Sequence, residues 1–306
     1  LKSSLQDAGS ARRGFFFGLA AYSIWGCFPV FFKALAGATP LEIVCHRILW
    51  SAIFLLLVVG SRRKLGALWQ VSRERRILLT LSCSTLLIAT NWLVFLFAIQ
   101  RGEVLQSSLG YFITPLVSVL LGFVFLRERL RFWQRVSVFC ALLGVLNLVL
   151  HHGQIPWIAL TLALSFGAYG LLRKVASIDA MLGLCVETLL LAPLSLGFLL
   201  YLESQNLGVF AAGSWRLSLL LPLSGVVTAI PLLLFVGAAR RLRLATIGFL
   251  QYLTPSLHFL LAVFLYHEPF ASSQLVSFVL IWCGLAIYSV DTLRQSRVAA
   301  GRLTSG

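Results

Sequence analysis

Ten stretches of this chain run for 15 to 24 residues almost without charge: 14–32, 43–60, 77–100, 104–126, 136–150, 153–172, 180–202, 217–239, 244–266 and 269–290. Only His46, Arg47, Glu187 and His258 break them with an acidic or basic side chain. About 20 apolar residues in a helix cross the hydrocarbon of a bilayer, and the shortest stretch extends back over Phe132–Arg135. The pattern predicts an all-α integral membrane protein with ten transmembrane helices. A membrane β-barrel would instead alternate in segments of about 10 residues. Charged residues are 11% of the 306, against about 25% in soluble domains, too few for a wetted surface.

The formal net charge of +15 raises the question of nucleic acid, and the placement of the cations answers it. With the N-terminus in the cytoplasm, cytoplasmic segments hold 21 of the 25 Lys and Arg, including Arg173 and Lys174. Lys33, Arg101 and Arg216 fall outside, and Arg47 lies within a span. This is the positive-inside bias that orients membrane proteins. Such loops attract anionic lipid, and no nucleic-acid partner is needed. The six cysteines all fall in spans without a CxxC pair, which predicts small apolar filler. His151, His152 and His267 lie in outer loops and make no metal motif. The first apolar run continues as a full span and reads as a helix, not a cleavable leader.

Residues 114–128 read TPLVSVLLGFVFLRE, and residues 254–268 read TPSLHFLLAVFLYHE. The prolines and the closing glutamates are 140 residues apart (255 − 115, 268 − 128). The same register aligns Cys45 with Cys185, Ser84 with Ser224, Phe95 with Phe235, Gln134 with Gln274, Ser137 with Ser277 and Gly144 with Gly284. Five spans per copy is an odd number, so the second copy enters the membrane from the opposite face. Inverted repeats about an in-plane axis are a recurring build of secondary transporters, in which the halves rock around a central site. The expected organisation is a cytoplasmic tail over 1–13, five-helix repeats over 14–150 and 155–292, and a second cytoplasmic tail over 293–306.

The segments AAYSIWG, EIVCHRILWS, NWLVFLFAI and SSLGYFITPLVSVLLG in the first half resemble the RarD family, in the EamA group of the drug/metabolite transporter superfamily. LSFGAYGLLRK, LCVETLLLAP and RLRLATIGFLQYLTPSLHFLLAVFLYHEP in the second half fit the same family. The resemblance spans roughly residues 12–295. It implies ten helices, both termini in the cytoplasm, a central cavity, an inner-membrane location and export of small metabolites or drugs, with chloramphenicol one candidate.

Polar side chains in a bilayer core need a reason. Ser107, Tyr111, Thr114 and Ser118 fall on one helical face, and Gln251, Thr254 and His258 hold the equivalent face of the second copy. The stripes either line a cavity or bond helix to helix. Trp25 and Tyr169, each followed by glycine, are wall or packing aromatics. Asn91 and Trp92 lie mid-helix, and Asn91 aligns with Pro231, which predicts a backbone irregularity at that level in both copies. Pro29, Pro115, Pro193, Pro231 and Pro255 offer kinks whose freed carbonyls could face a cavity.

Glu187 aligns with Arg47, which follows His46. The alternatives are a charge switch for proton coupling, in which an Arg47–Glu187 pair forms and breaks, and a static pair or an Arg47 snorkelling to the interface. Glu128 and Glu268 are expected to cap the helices that follow them. No nucleophile–base pair, HExxH or GxxxxGK[ST] supports an enzyme, a cofactor site or ATP-driven pumping. A sensor would need a large extramembrane domain, and the longest loop, 61–76, is merely basic. A passive uniporter or exchanger of amino-acid-like metabolites stands as the alternative to an exporter.

Overall fold

The computed structural model describes residues 2–101, 103–152, 157–176, 178–210, 214–266 and 275–291 apart from 285 and 289. Helices follow in the order α1 (Lys2–Gly26), α2 (Phe28–Lys33), α3 (Pro40–Ser61), α4 (Leu65–Arg73), α5 (Arg75–Gln100), α6 (Val104–Leu126) and α7 (Phe132–His152). The second half continues with α8 (Trp157–Val175), α9 (Ala180–Ser204), α10 (Trp215–Ala239), α11 (Leu244–Gln251), α12 (Leu253–Leu260), a π turn (Leu261–Leu265) and α13 (Leu275–Tyr288). There is no strand among the described residues. Eight helical segments are long and apolar enough to cross a membrane, and the shorter apolar helices Phe132–Asn147 and Leu275–Tyr288 occupy the fifth and tenth positions.

Helix is the outcome that hydrocarbon permits, because it satisfies each backbone amide within its own segment. The ends are fixed by side chains. Thr39 accepts from the Glu42 amide at 3.2 Å with Pro40 in the first turn of α3, and Asp179 accepts from the Met181 and Leu182 amides at 3.0 and 3.3 Å. The outside of the bundle is apolar: Leu57, Phe123, Leu194, Trp215 and Phe264 are exposed. The buried set includes Ser84, Thr85, Asn91, Thr228, Gln251, Arg47, Arg173 and Glu187. Polar groups turned inward and apolar ones outward suit a lipid solvent.

The helix contacts come in symmetric pairs. Counting spans, the first packs on the eighth and the third on the sixth; the first packs on the ninth and the fourth on the sixth. The second packs on the eighth and the third on the seventh, while the second meets the seventh and the fourth meets the ninth directly. Each pair is what a two-fold axis relating spans 1–5 to spans 6–10 requires. The sharpest case joins α7 to α13. A methyl group on Gly144 would lie 2.8 Å from the Ser277 carbonyl oxygen, and one on Gly284 would lie 2.8 Å from the Ser137 carbonyl oxygen. Both residues of each contact are repeat mates, so one close approach is made twice. Among the described residues three apolar clusters result: a large one built chiefly from spans 1–3 and 6–8, a smaller one, around Phe112, Ala141, Phe249, Phe278 and Ile281, from spans 4, 5, 9 and 10, and a minor one of Leu109 and Ala159 between spans 4 and 6.

Several details depart from the sequence reading. The 61–76 loop holds a helix, α4, whose Trp69 is exposed and carries the Arg73 guanidinium at 4.5 Å over its ring. Arg173, counted with the cytoplasmic loops, is 1% exposed. α5 runs helical through Asn91, and α10 stays helical through Pro231, whose missing N–H leaves the Val227 carbonyl without its helical partner. The breaks fall elsewhere, at Cys27 between α1 and α2 and at Tyr252 between α11 and α12. At the start of α7 the Gln134 side chain turns back to accept from the Arg131 amide at 3.1 Å, and Glu128 pairs with Lys174 at 3.6 Å. Glu268 and His267 lie outside the described residues, and His151 and His152 end α7 instead of forming a loop.

Gly144→Leu and Gly284→Leu should each destabilise the fold by about 1–3 kcal/mol through overpacking, and by similar amounts. Gly197→Leu, where nothing lies within 4 Å, is the control. Thermal unfolding in detergent checks this, and a large difference between the two mates would contradict the symmetric contact.

Candidate substrate cavity

Pro29 opens the site. Lacking an N–H, it leaves the Trp25 carbonyl, four residues back, without its helical partner. His258 of α12 supplies one, with Nε2 3.1 Å from that oxygen, and Thr254, one turn earlier, donates to the Tyr22 carbonyl at 2.9 Å. The interrupted first span is thereby bonded to the interrupted ninth. Between them and their neighbours lies a cavity with about 550 Å³ of empty space, its open mouth included. Tyr22, Trp25, Phe28, Arg47, Asn91, Trp92, Phe95, Tyr111 and Thr114 line it from the first half, and Phe166, Gln251, Thr254 and His258 from the second.

The walls are mostly aromatic. Trp25 meets Phe166 edge-on at 5.4 Å, and Phe95 stacks on the His258 ring at 6.3 Å with 20° between planes. Tyr111 approaches Phe95 and His258, each at 5.7 Å. Among the polar members, Asn91 commits its amide to Leu162 O and Ser165 Oγ of α8, both at 3.0 Å, and Gln251 accepts from Ser118 at 3.1 Å. Thr114 donates to Gly110 O within its own helix, whereas its mate Thr254 reaches across to α1. The two polar stripes therefore do both jobs proposed from sequence, lining the cavity and bonding helix to helix. Arg47 donates through Nε to Thr228 Oγ1 at 2.9 Å, and its guanidinium lies 4.7 Å from the Trp92 ring centre and 4.8 Å from that of Phe32.

Of the residues singled out in sequence, Trp25, Asn91, Trp92, Tyr111, Thr114, Gln251, Thr254, His258 and Arg47 are at the cavity. Ser107 is buried without lining it, and His46 sits outside, its Nδ1 accepting from Trp50 at 3.3 Å and its ring 5.0 Å from Phe210. Tyr22, Phe28, Phe95 and Phe166 were missed. Tyr22, Trp25 and Phe28 recur every three residues, which was a readable stripe; Phe166 had no such signal.

Tyr169 and Glu187 form a separate cluster, and the Arg47–Glu187 pair, one of the alternatives raised from sequence, is not made in this conformation. Glu187 pairs with Arg173 at 3.5 Å, accepts from Ser84, and takes the Tyr169 hydroxyl at 3.4 Å. Arg173 also donates to Ala180 O at 3.1 Å. The cluster ties α5, α8 and α9 together. Arg47 and Glu187 each stand seven residues into their helices (47 − 40, 187 − 180), but from opposite ends of the bundle. That separation, and the nearer guanidinium on α8, explain the different partner. The cavity reaches Arg47 and stops short of Glu187.

With this geometry in place, the comparisons are direct. Residues 12–150 and 155–290 each match the EamA-like transporter family. The chain belongs to that family. It is 43% identical over 293 residues to an uncharacterized transporter of Vibrio cholerae, covering 96% of this chain and 97% of the relative. It is 40% identical to the protein RarD of Escherichia coli K12, covering 95% and 98%. It is 34% identical to the chloramphenicol-sensitive protein RarD of Pseudomonas aeruginosa, covering 95% and 98%. These relatives place it in the RarD branch. A crystal structure at 17% identity superposes with a TM-score of 0.65 over 92% of this chain and 98% of the other, which shows the shared fold. The chain is thus a multi-pass membrane transporter of the drug/metabolite type.

Removing one partner of a buried ion pair strands the other, at about 3–5 kcal/mol, whereas replacing both by apolar residues is often neutral. Glu187→Met should therefore unfold at markedly lower temperature than the Arg173→Met/Glu187→Met double variant. Equal melting of the single and double variants would mean that Arg173 is not held by Glu187.

Proposed function

We propose that the chain is an alternating-access secondary transporter of small organic metabolites or drugs, working outward across the inner membrane of a bacterium. The observation that carries this reading is the cavity, walled by aromatic rings and a few polar groups of both repeats where two interrupted helices meet, the lining expected of a small-molecule site. Sites between repeats at broken helices are the setting in which rocking of one half exposes a ligand to either side. The basic loops support an orientation with both termini in the cytoplasm. In that orientation the Arg173–Glu187–Tyr169–Ser84 cluster lies on the cytoplasmic side of the cavity, and opening the cavity to that side would load these ties. Chloramphenicol is one candidate cargo, supported by the printed name of the Pseudomonas relative. If a proton gradient drives the cycle, Glu187 is the carboxylate placed to take part, since its charge state governs its hold on Arg173.

Counterflow of labelled metabolites in proteoliposomes, with and without a pH gradient, tests this directly. Tyr111→Ala and Gln251→Ala should lower transport at least about tenfold while shifting thermal unfolding little, as expected of cavity walls. Normal transport rates in both variants would remove the cavity from the pathway. For orientation, a cysteine at Ser204 should react with an impermeant maleimide from outside intact cells and one at Ser72 should not; the reverse pattern would invert the topology.

A further inference from the structure

Among the described residues, Arg47 is the one arginine or lysine that lines the cavity, and no aspartate or glutamate lines it. The guanidinium is 1% exposed, and no carboxylate among the described residues pairs with it. Nε is used on Thr228, and Nη1 has no hydrogen-bond partner. The Trp92 and Phe32 faces attract the cation, but a ring face does not accept the in-plane N–H bonds of the fork. A buried charge so placed is costly unless paired. The repeat mate that could have neutralised it, Glu187, is held by Arg173 at the other end.

We propose that the cavity takes a small organic monoanion, its carboxylate seated on the Arg47 fork and its apolar body against Trp25, Trp92 and Phe166. This rests on the reading of the cavity as the transport site and specifies its cargo. One guanidinium fits one carboxylate, which binds such a fork through two parallel N–H···O bonds. An ammonium group has no acid to meet. The two carbonyls that the broken first span could have offered it, Trp25 O and Tyr22 O, are already taken by His258 and Thr254. Zwitterions and cations are thus disfavoured, inorganic anions leave the aromatic walls unfilled, and neutral compounds, chloramphenicol among them, leave Nη1 unpaired.

The test uses the full chain in detergent, with quenching of tryptophan fluorescence as the binding signal, since Trp25 and Trp92 stand in the wall. The probes share one scaffold: 3-phenylpropionate, its neutral amide, phenylalanine and 2-phenylethylamine. The acid should bind at least about tenfold tighter than the amide, the range of one charged hydrogen-bond partner, with the zwitterion and the cation weaker still. Arg47→Gln should lower acid binding to the level of the amide and leave the amide unchanged; Arg47→Lys should keep part of the preference. Equal binding of acid and amide by the wild type, which needs no variant to measure, would overturn the proposal. So would an acid preference that survives Arg47→Gln, or the absence of saturable binding by any of a panel of phenyl, indolyl and branched aliphatic acids. Counterflow separates the two readings: acids that bind through Arg47 but never cross would sink the transporter reading alone, and neutral compounds that cross without acid preference would sink this one alone.

Discussion

Hydrocarbon offers no hydrogen-bond partner, and this single constraint organises the whole molecule. The backbone amides and carbonyls inside the bundle must be answered within the chain. Where a proline withdraws an N–H, the consequence travels across the protein. Pro29 frees the Trp25 carbonyl, His258 answers it from the second half, and the first and ninth spans are joined at the point where both are interrupted. The aromatic rings of Trp25, Phe95 and Tyr111 then surround the junction. The cavity is what remains beside two broken helices that Gly26 lets pack against Leu257 and that side chains tie together.

The repeat supplies the scaffold, and departures from the repeat supply the chemistry. Gly144 and Gly284 make the same contact twice, so the fifth and tenth spans obey the two-fold axis closely. Position 47 and its mate 187 do not: one carries a guanidinium among aromatic rings, the other a carboxylate held by arginine, serine and tyrosine. Thr114 bonds within its own helix while Thr254 bonds to a neighbour. Ion pairs gather at one end of the bundle, where Glu128 meets Lys174, Arg131 meets Asp291 and Arg173 meets Glu187. An alternating-access cycle needs two conformations that differ in energy, and unequal polar ties at the two ends are a means of setting that difference.

The spans, the repeat register and the family were legible because each rests on a pattern spread over many residues. Individual cavity residues were partly legible: Tyr111, Thr114, Gln251, Thr254 and His258 stood out as polar groups at helical spacing in an apolar run. Phe95 and Phe166 did not, since a phenylalanine in a membrane helix looks alike whether it faces lipid or cargo. The partner of Glu187 was misread because Arg173 lies near a helix end, where the charge pattern assigns it to the cytoplasm. A long side chain can reach inward from there, and Gly183, whose added methyl would meet the Arg173 guanidinium at 2.2 Å, makes the room. Such a vacancy is a three-dimensional fact with no linear signature.

The twice-made contact between α7 and α13 has an ancestral meaning. A chain of five spans that inserted in either direction could form the same two-fold pairing with a second copy of itself, each glycine resting on the partner's serine carbonyl. Such a pair would have been condemned to sameness: position 47 could be arginine in both subunits or glutamate in both, never one of each. Joining the two copies into one polypeptide removed that restriction. The guanidinium at the cavity and the carboxylate at the opposite end are a division of labour closed to a pair of identical chains and open to two halves of one.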